Sequence, residues 1–279
     1  MELLKEILLD TLIDVARLIP FLFLTYLFLE WMEHQTGNQM EHFLEHHRKA
    51  APLAGALFGI VPECGFSTAA SSLYTTGVIS AGTLIAVYLS TSDEMLPILI
   101  SAQAGMDKIA PILLVKVIVA LIAGYTADFF SKHEMTHIDT FCEQEHCDCE
   151  HESIWKAALE HTLKIAVWLL VITFLMNSFM EIIGTDTLSA FVTAHPTSAV
   201  LTSTLIGMIP SCASSVLLST LYLNNVIGFP AVCAGLLANA GVGMMVLFRV
   251  NPNMKNNLKI IGYTWASAFI AGLILEIFF

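Results

Sequence analysis

Charge is scarce in this sequence. Only 13% of its 279 residues are Asp, Glu, Lys or Arg, where a soluble domain carries about 25%. That shortage argues against a soluble helical protein of this length. Basic residues are scarcer still. The 12 Lys and Arg stand against 24 Asp and Glu, a net charge of −12, which argues against nucleic acid as a partner. No phosphate loop of the type G-x-x-x-x-G-K-[ST] occurs and no large soluble domain to burn ATP is seen, so any transport by this chain alone is expected to run on an ion gradient. No cleavable signal peptide is expected: the first apolar run is too long, lacks a small-residue cleavage site and starts with Asp10 and Asp14. Nor do the six cysteines form the disulfide framework of a small secreted domain. Three crowd into one loop (Cys142, Cys147, Cys149) and three sit in apolar segments (Cys64, Cys212, Cys233).

What is abundant is apolar length. Hydrophobic residues make up 56% of the chain, in long runs, and a run of about 18 or more reads as a membrane span. Leu18 to Trp31 lies inside one such run and Ile165 to Phe179 inside a second. Ile109 to Gly124 lies inside a third, broken only by Lys116.

The chain also repeats itself. "GIVPECGFSTAASSLY" (59–74) is answered by "GMIPSCASSVLLSTLY" (207–222) at a constant shift of 148. Pro62 meets Pro210, Cys64 meets Cys212, Tyr74 meets Tyr222, and the register still holds where Gly124 meets Gly272. Shared apolar composition does not produce matched Pro, Cys, Gly and Tyr in one register. Each half is predicted to hold a long span (8–32; twin 157–182), two short arms hinged at Pro-x-Cys (50–62 and 64–77; twin 198–210 and 212–224), and two further spans (78–102 and 107–130; twin 226–249 and 257–279). An arm of about 12 residues reaches roughly 18 Å, short of a core about 30 Å thick. It cannot cross alone.

Basic residues choose between a crossing pair of arms and a hairpin. With hairpins, Arg48, Lys49, Lys132, Lys156, Arg249, Lys255 and Lys259 fall on one side and Lys5 and Lys108 on the other, once Arg17, Lys116 and Lys164 are set aside as lying within spans. That is the cleaner positive-inside bias. The expected fold is therefore an all-α polytopic membrane protein of two inverted repeats. Each repeat has three full spans and a broken-helix hairpin, ten helices in all counting hairpin arms. The expected units are a first membrane repeat (1–130), a cytoplasmic Cys/His/acid-rich loop (131–156) and a second membrane repeat (157–279). Both termini are expected outside a prokaryotic inner membrane. Inverted repeats with broken helices and a midplane site are a recurring plan of secondary transporters.

The breakers are expected to build that site. Pro62, Gly65 and Pro210 would free backbone amides and carbonyls at membrane depth, which is tolerated only inside protein or along a wet cavity. Glu63, Cys64, Ser211 and Cys212 sit at the hinges. A second polar run, Ser90, Ser92, Asp93 and Glu94, lies within a span, where acids mark a pathway or a proton relay. Its twin carries Asn239 opposite Thr91, and Gly241 and Val242 opposite the two acids, so the carboxylates belong to the first half. Asp10, Asp14 and Arg17 share a helical face; Asp14 and Arg17 read first as a self-neutralising pair, with a part in proton movement as the alternative.

The central loop, "HEMTHIDTFCEQEHCDCEHES", holds three Cys and four His within 19 residues, and Glu134 to Glu152 has seven acids with no Lys or Arg. Cys142, His146, Cys147, Cys149 and His151 are its candidate ligands. Thiolate and imidazole suit Zn, Cu(I) or other soft ions, though the spacing fits no standard zinc finger. His42, His46 and His47 read either as an accessory cluster on the same side or as an interfacial helix.

With "VPECGFSTAASSLYTTG", "STSDEMLP", "IPSCASSVLLSTLYLN" and the Cys/His-rich loop, nearly the whole chain resembles the ten-helix heavy-metal exporters, a family often labelled manganese transporters and related by name to arsenical permeases. The resemblance implies an inner-membrane permease that exports a metal or metalloid, and adds Mn to the candidate ions. No enzyme activity and no fixed cofactor are expected. The expected partners are a metal ion, protons as coupling ion and the bilayer, with a homodimer as an option. Transport of an organic or oxyanionic solute, an intramembrane thiol redox protein using Cys64 and Cys212, and a channel stand as alternatives.

Overall fold

In a computed structural model, the chain is described at residues 11–27 (except 14, 17 and 21), 50–60, 64–92, 94–130, 154–183 and 199–278. The described residues are all helix and connecting turns. The described residues between 11 and 27 are helical and are labelled α1. Then follow α2 (Ala51–Phe58), α3 (Cys64–Thr75), α4 (Ala81–Ser90), α5 (Met95–Ser101), α6 (Met106–Phe130), α7 (Ile154–Ile183), α8 (Ala199–Gly207), α9 (Cys212–Leu223), α10 (Phe229–Ala238), α11 (Gly243–Val250) and α12 (Met254–Phe278). Among the described residues, joining α4 to α5 and α10 to α11 leaves ten.

The duplication read from the sequence is present in the backbone. The starts of α2 to α6 and of α8 to α12 lie 148 residues apart, pair by pair. The turns agree in detail. Gly77 and Asn225, also 148 apart, both have positive φ (78° and 55°), and each ends its helix the same way. Gly77 N donates to Tyr74 O at 3.0 Å and Val78 N to Leu73 O at 2.9 Å; Asn225 N and Val226 N repeat both bonds to Tyr222 O and Leu221 O at the same lengths. This is a Schellman cap, which wants Gly or Asn at its left-handed position.

One expectation changes. The spans expected over 78–102 and 226–249 are each broken, at 91–94 and at 239–242. At the first break the hydroxyls of Ser90, Thr91 and Ser92 bond to the backbone carbonyls of Val87 and Ser90, side-chain bonds that compete with the helical ladder. At the second, Asn239 caps the helix and Gly241 takes φ 57°. The broken pairs still have the length and hydropathy to cross, as Ala81–Ser101 and Phe229–Val250. They bury 71% and 94% of their apolar windows, against 33% for Met106–Phe130, 33% for Ala158–Leu175 and 28% for Met254–Phe278. The broken spans thus form the interior, and the unbroken ones turn one face outward. On α6, Leu114, Ile118 and Ile122 are exposed while Ile112, Lys116, Ala120 and Ala123 are buried, the pattern of a helix at the lipid boundary.

Small residues set the packing inside each half. A Cβ on Gly82 would lie 2.2 Å from Gly124 O, and one on Gly207 would lie 2.0 Å from Gly235 O, so α4 meets α6, and α8 meets α10, backbone to backbone. The halves then interlock reciprocally: α3 packs on α11, and α9 packs on α5. Tyr74 OH accepts from Asn256 Nδ2 at 2.6 Å, and the hydroxyls of Thr126 and Tyr263 are 2.6 Å apart, adding polar ties between the halves.

One lock belongs to the first half alone. Asp128 at the end of α6 accepts from Gly82 N and from Ser80 Oγ, both at 2.8 Å, and places a carboxylate at the positive end of α4. The equivalent residue of the second half, Glu276, is exposed. Asp128→Ala should therefore lower stability by about 1.5–3 kcal/mol, the usual worth of bonds to a charged group, while Glu276→Ala should change it little. Thermal melts of the two detergent-solubilised variants test this difference.

Candidate functional site

The breaks of α4/α5 and α10/α11 meet across the two halves. Thr91, the residue that ends α4, leaves the helix with ψ 126°, and Asn239, which ends α10, with ψ 100°. A single side chain reaches both ends. Lys116 of α6 is fully buried, and its Nζ donates to Thr91 O and, at 2.8 Å, to Leu236 O. These carbonyls lie in the last turns of α4 and α10, where a helix leaves its acceptors without backbone donors.

A second junction fastens α11 to the first half. Ser71 Oγ lies 2.7 Å from Gly243 O, from Ser67 O and from Tyr88 OH. Tyr88 OH is also 3.1 Å from Gly243 O. Two hydroxyl protons are thus shared over the carbonyls of Ser67 and Gly243, and three helices are joined at one buried point. Tyr88→Phe removes one of those donors and should lower stability by about 1 kcal/mol, readable as a fall of about 2–4 °C in melting temperature. At the equivalent place in the second half Leu236 replaces Tyr88, and the buried Ser219 hydroxyl has no partner among the described residues.

The sequence candidates fall around these junctions. Ser90 and Ser92 are buried, with Ser90 Oγ 3.1 Å from Val87 O and Ser92 Oγ 3.3 Å from Ser90 O. Glu94 is half-buried at the start of α5, and its carboxylate makes no capping bond there. Asn239 is buried, and its Oδ1 accepts from Gly241 N at 3.0 Å. Ser211 is buried and caps α9 by accepting from Ala213 N at 3.1 Å. Cys212 follows at the first turn of α9, half-buried and reduced. Pro210 is half-buried just before the cap. Gly65 is buried in the first turn of α3, where its carbonyl accepts from Thr68 Oγ1 at 2.7 Å. Cys64 begins α3, but its side chain lies outside the described residues, as do Pro62, Glu63 and Asp93. So do Asp10, Asp14 and Arg17, His42, His46 and His47, and the loop residues Cys142, His146, Cys147, Cys149 and His151. Among the described residues, no three His, Cys, Asp or Glu side chains form a metal cluster.

The grouping that results is crossed. The hinge arms do not pack principally on each other. The arm bearing Ser211 and Cys212 packs on α5, whose first turn follows Glu94, and the arm that begins at Cys64 packs on α11, which follows the Asn239 break. Each of these arms thus packs against the second segment of the other half's broken span. Lys116 was missed by sequence reasoning, which treated it as an interruption inside a span. The signal was available, because a lysine deep in an apolar run is costly to bury and marks function.

A family model described as "Putative, 10TM heavy-metal exporter" matches the chain in two overlapping stretches, residues 1–186 and 165–279. No curated protein and no solved structure matches it.

Proposed function

The chain belongs to the family of ten-helix heavy-metal exporters, and from that membership we propose that it exports a divalent or soft metal ion by secondary active transport, with protons as the coupling ion. It is a transmembrane protein, of a family of exporters rather than a class of enzymes. The observation that carries the reading is the meeting of two broken spans, α4/α5 and α10/α11, in the buried centre of the molecule. Broken helices set side by side are how transporters of this plan expose backbone and polar groups to an ion. The carboxylates of Glu63, Asp93 and Glu94 give the path a negative lining that suits a cation, with thiols at Cys64 and Cys212 and amide and hydroxyl oxygens from Asn239, Ser90, Ser92 and Ser211.

In this cycle the loop ligands Cys142, His146, Cys147, Cys149 and His151 gather the ion on the cytoplasmic side of a prokaryotic inner membrane. The ion passes to the crossed group between the hinges. The two repeats, inverted in the membrane, rock about it. Protonation of a carboxylate from outside weakens its hold on the metal and expels the ion.

The test is uptake into inverted membrane vesicles of a panel including Zn, Mn and Cu(I), with and without a proton gradient. Accumulation of at least one of these ions that collapses when a protonophore dissipates the gradient is expected. Uptake of organic or oxyanionic solutes with no movement of any metal would overturn the proposal.

A further inference from the structure

The Lys116 ammonium occupies a place that chemistry assigns to a free cation. A buried ammonium is costly to strip of water unless the protein solvates it well. Here the solvating groups include two backbone carbonyls from two different halves, Thr91 O at the end of α4 and Leu236 O in the last turn of α10. Both belong to the negative ends of helix dipoles. In transporters built from broken helices, unwound carbonyls and half-helix C-termini of this kind coordinate a coupling sodium ion or proton. The opposite repeat has no such charge. Thr264 stands at the position equivalent to Lys116, buried, with its hydroxyl bonded to Ile260 O at 2.9 Å.

We propose that the junction of α4 and α10 is a monovalent-cation site filled by a tethered cation, the Lys116 ammonium, so that the protein carries its own positive charge where a sodium-coupled transporter of the same plan would take up sodium. The consequences are specific. The native protein has no use for sodium at this point, and removing the amine exposes two carbonyls and two dipole ends that attract a small cation from solution. The site is defined by helix ends rather than by the cargo. It can fail without touching the export reading.

The experiment compares thermal melts of full-length wild type, Lys116→Arg and Lys116→Ala in detergent, in sodium, potassium or choline chloride at equal ionic strength and with no heavy metal present. Wild type and Lys116→Arg should melt alike in all three salts. Lys116→Ala should melt lowest in choline and regain about 5 °C in sodium or potassium, as binding to the folded state alone requires. Lys116→Met, which keeps the packing volume of the stem, serves if the alanine variant does not fold. A neutral variant that folds and melts alike in the three salts overturns the proposal. So does a wild type that is itself stabilised by sodium over choline. If neither neutral variant folds, the wild-type comparison still decides by that second criterion.

Discussion

Gly243→Leu is expected to yield no folded, monodisperse protein. A Cβ at position 243 would lie 2.5 Å from the carbonyl carbon of Ser67 and 2.6 Å from its oxygen. Backbone cannot step aside as a flexible side chain would. The two helices are also pinned together at this point, because Ser71 and Tyr88 both reach Gly243 O. Separating α3 from α11 breaks those bonds and opens the seam between the halves. Overpacking a core typically costs about 1–3 kcal/mol; a clash with main chain that also unpairs a buried carbonyl adds about 1–3 kcal/mol more. Together these approach the whole stability of a marginal domain. Gly262 is the control. Nothing lies within 4 Å of a Cβ there, so Gly262→Leu should leave the protein intact. Size-exclusion profiles of the two variants from matched expressions test the pair, and a normal profile for Gly243→Leu would contradict the interlocking of the halves.

Glu94→Gln should reduce metal export by about 10–100-fold or more, at unchanged expression. Loss of a group that only supports a metal ligand already has an effect of that size, and a carboxylate that contacts the ion contributes at least as much. Glu94 is suited to the role by position: it ends the first break, starts α5, and its carboxylate is not spent on capping that helix. The amide keeps the shape and removes both the charge and the titratable proton. Glu63→Gln should behave likewise. Metal sensitivity of an export-deficient host carrying each variant, together with vesicle flux, provides the readout. Full resistance conferred by Glu94→Gln would remove the carboxylate from the path.

Much of the scaffold was legible because the chain states it twice. A helix that begins at Cys64 and another at Cys212, with the same cap at Gly77 and Asn225, follow from residues whose backbone preferences are strong. The breaks after Ser90 and Ala238 were harder to see. A hydropathy window averages across four residues, and "TSDE" contains neither Gly nor Pro to announce an interruption, while the polar run itself was recognised. The crossed packing of α3 on α11 and α9 on α5 could not be read at all, since it depends on how two copies dock and not on local pattern. Lys116 was hidden by the opposite error. Its apolar neighbours made the span convincing, and the lone amine was counted as an exception within it. Asp128 was invisible for another reason: its partners, Gly82 N and Ser80 Oγ, lie in a turn 46 and 48 residues away, and nothing in local sequence joins them.

The most direct measurement follows Cys212. This half-buried thiol opens α9, the arm that packs on α5, and the proposed route of the ion passes it. Alkylation of the wild-type protein by a maleimide, read by mass spectrometry of the peptide that carries Cys212, should slow several-fold when a transported metal is present, and the protection should disappear in Glu94→Gln. Alkylation of Cys212 at one rate with and without a saturating concentration of that metal would mean that the ion travels elsewhere.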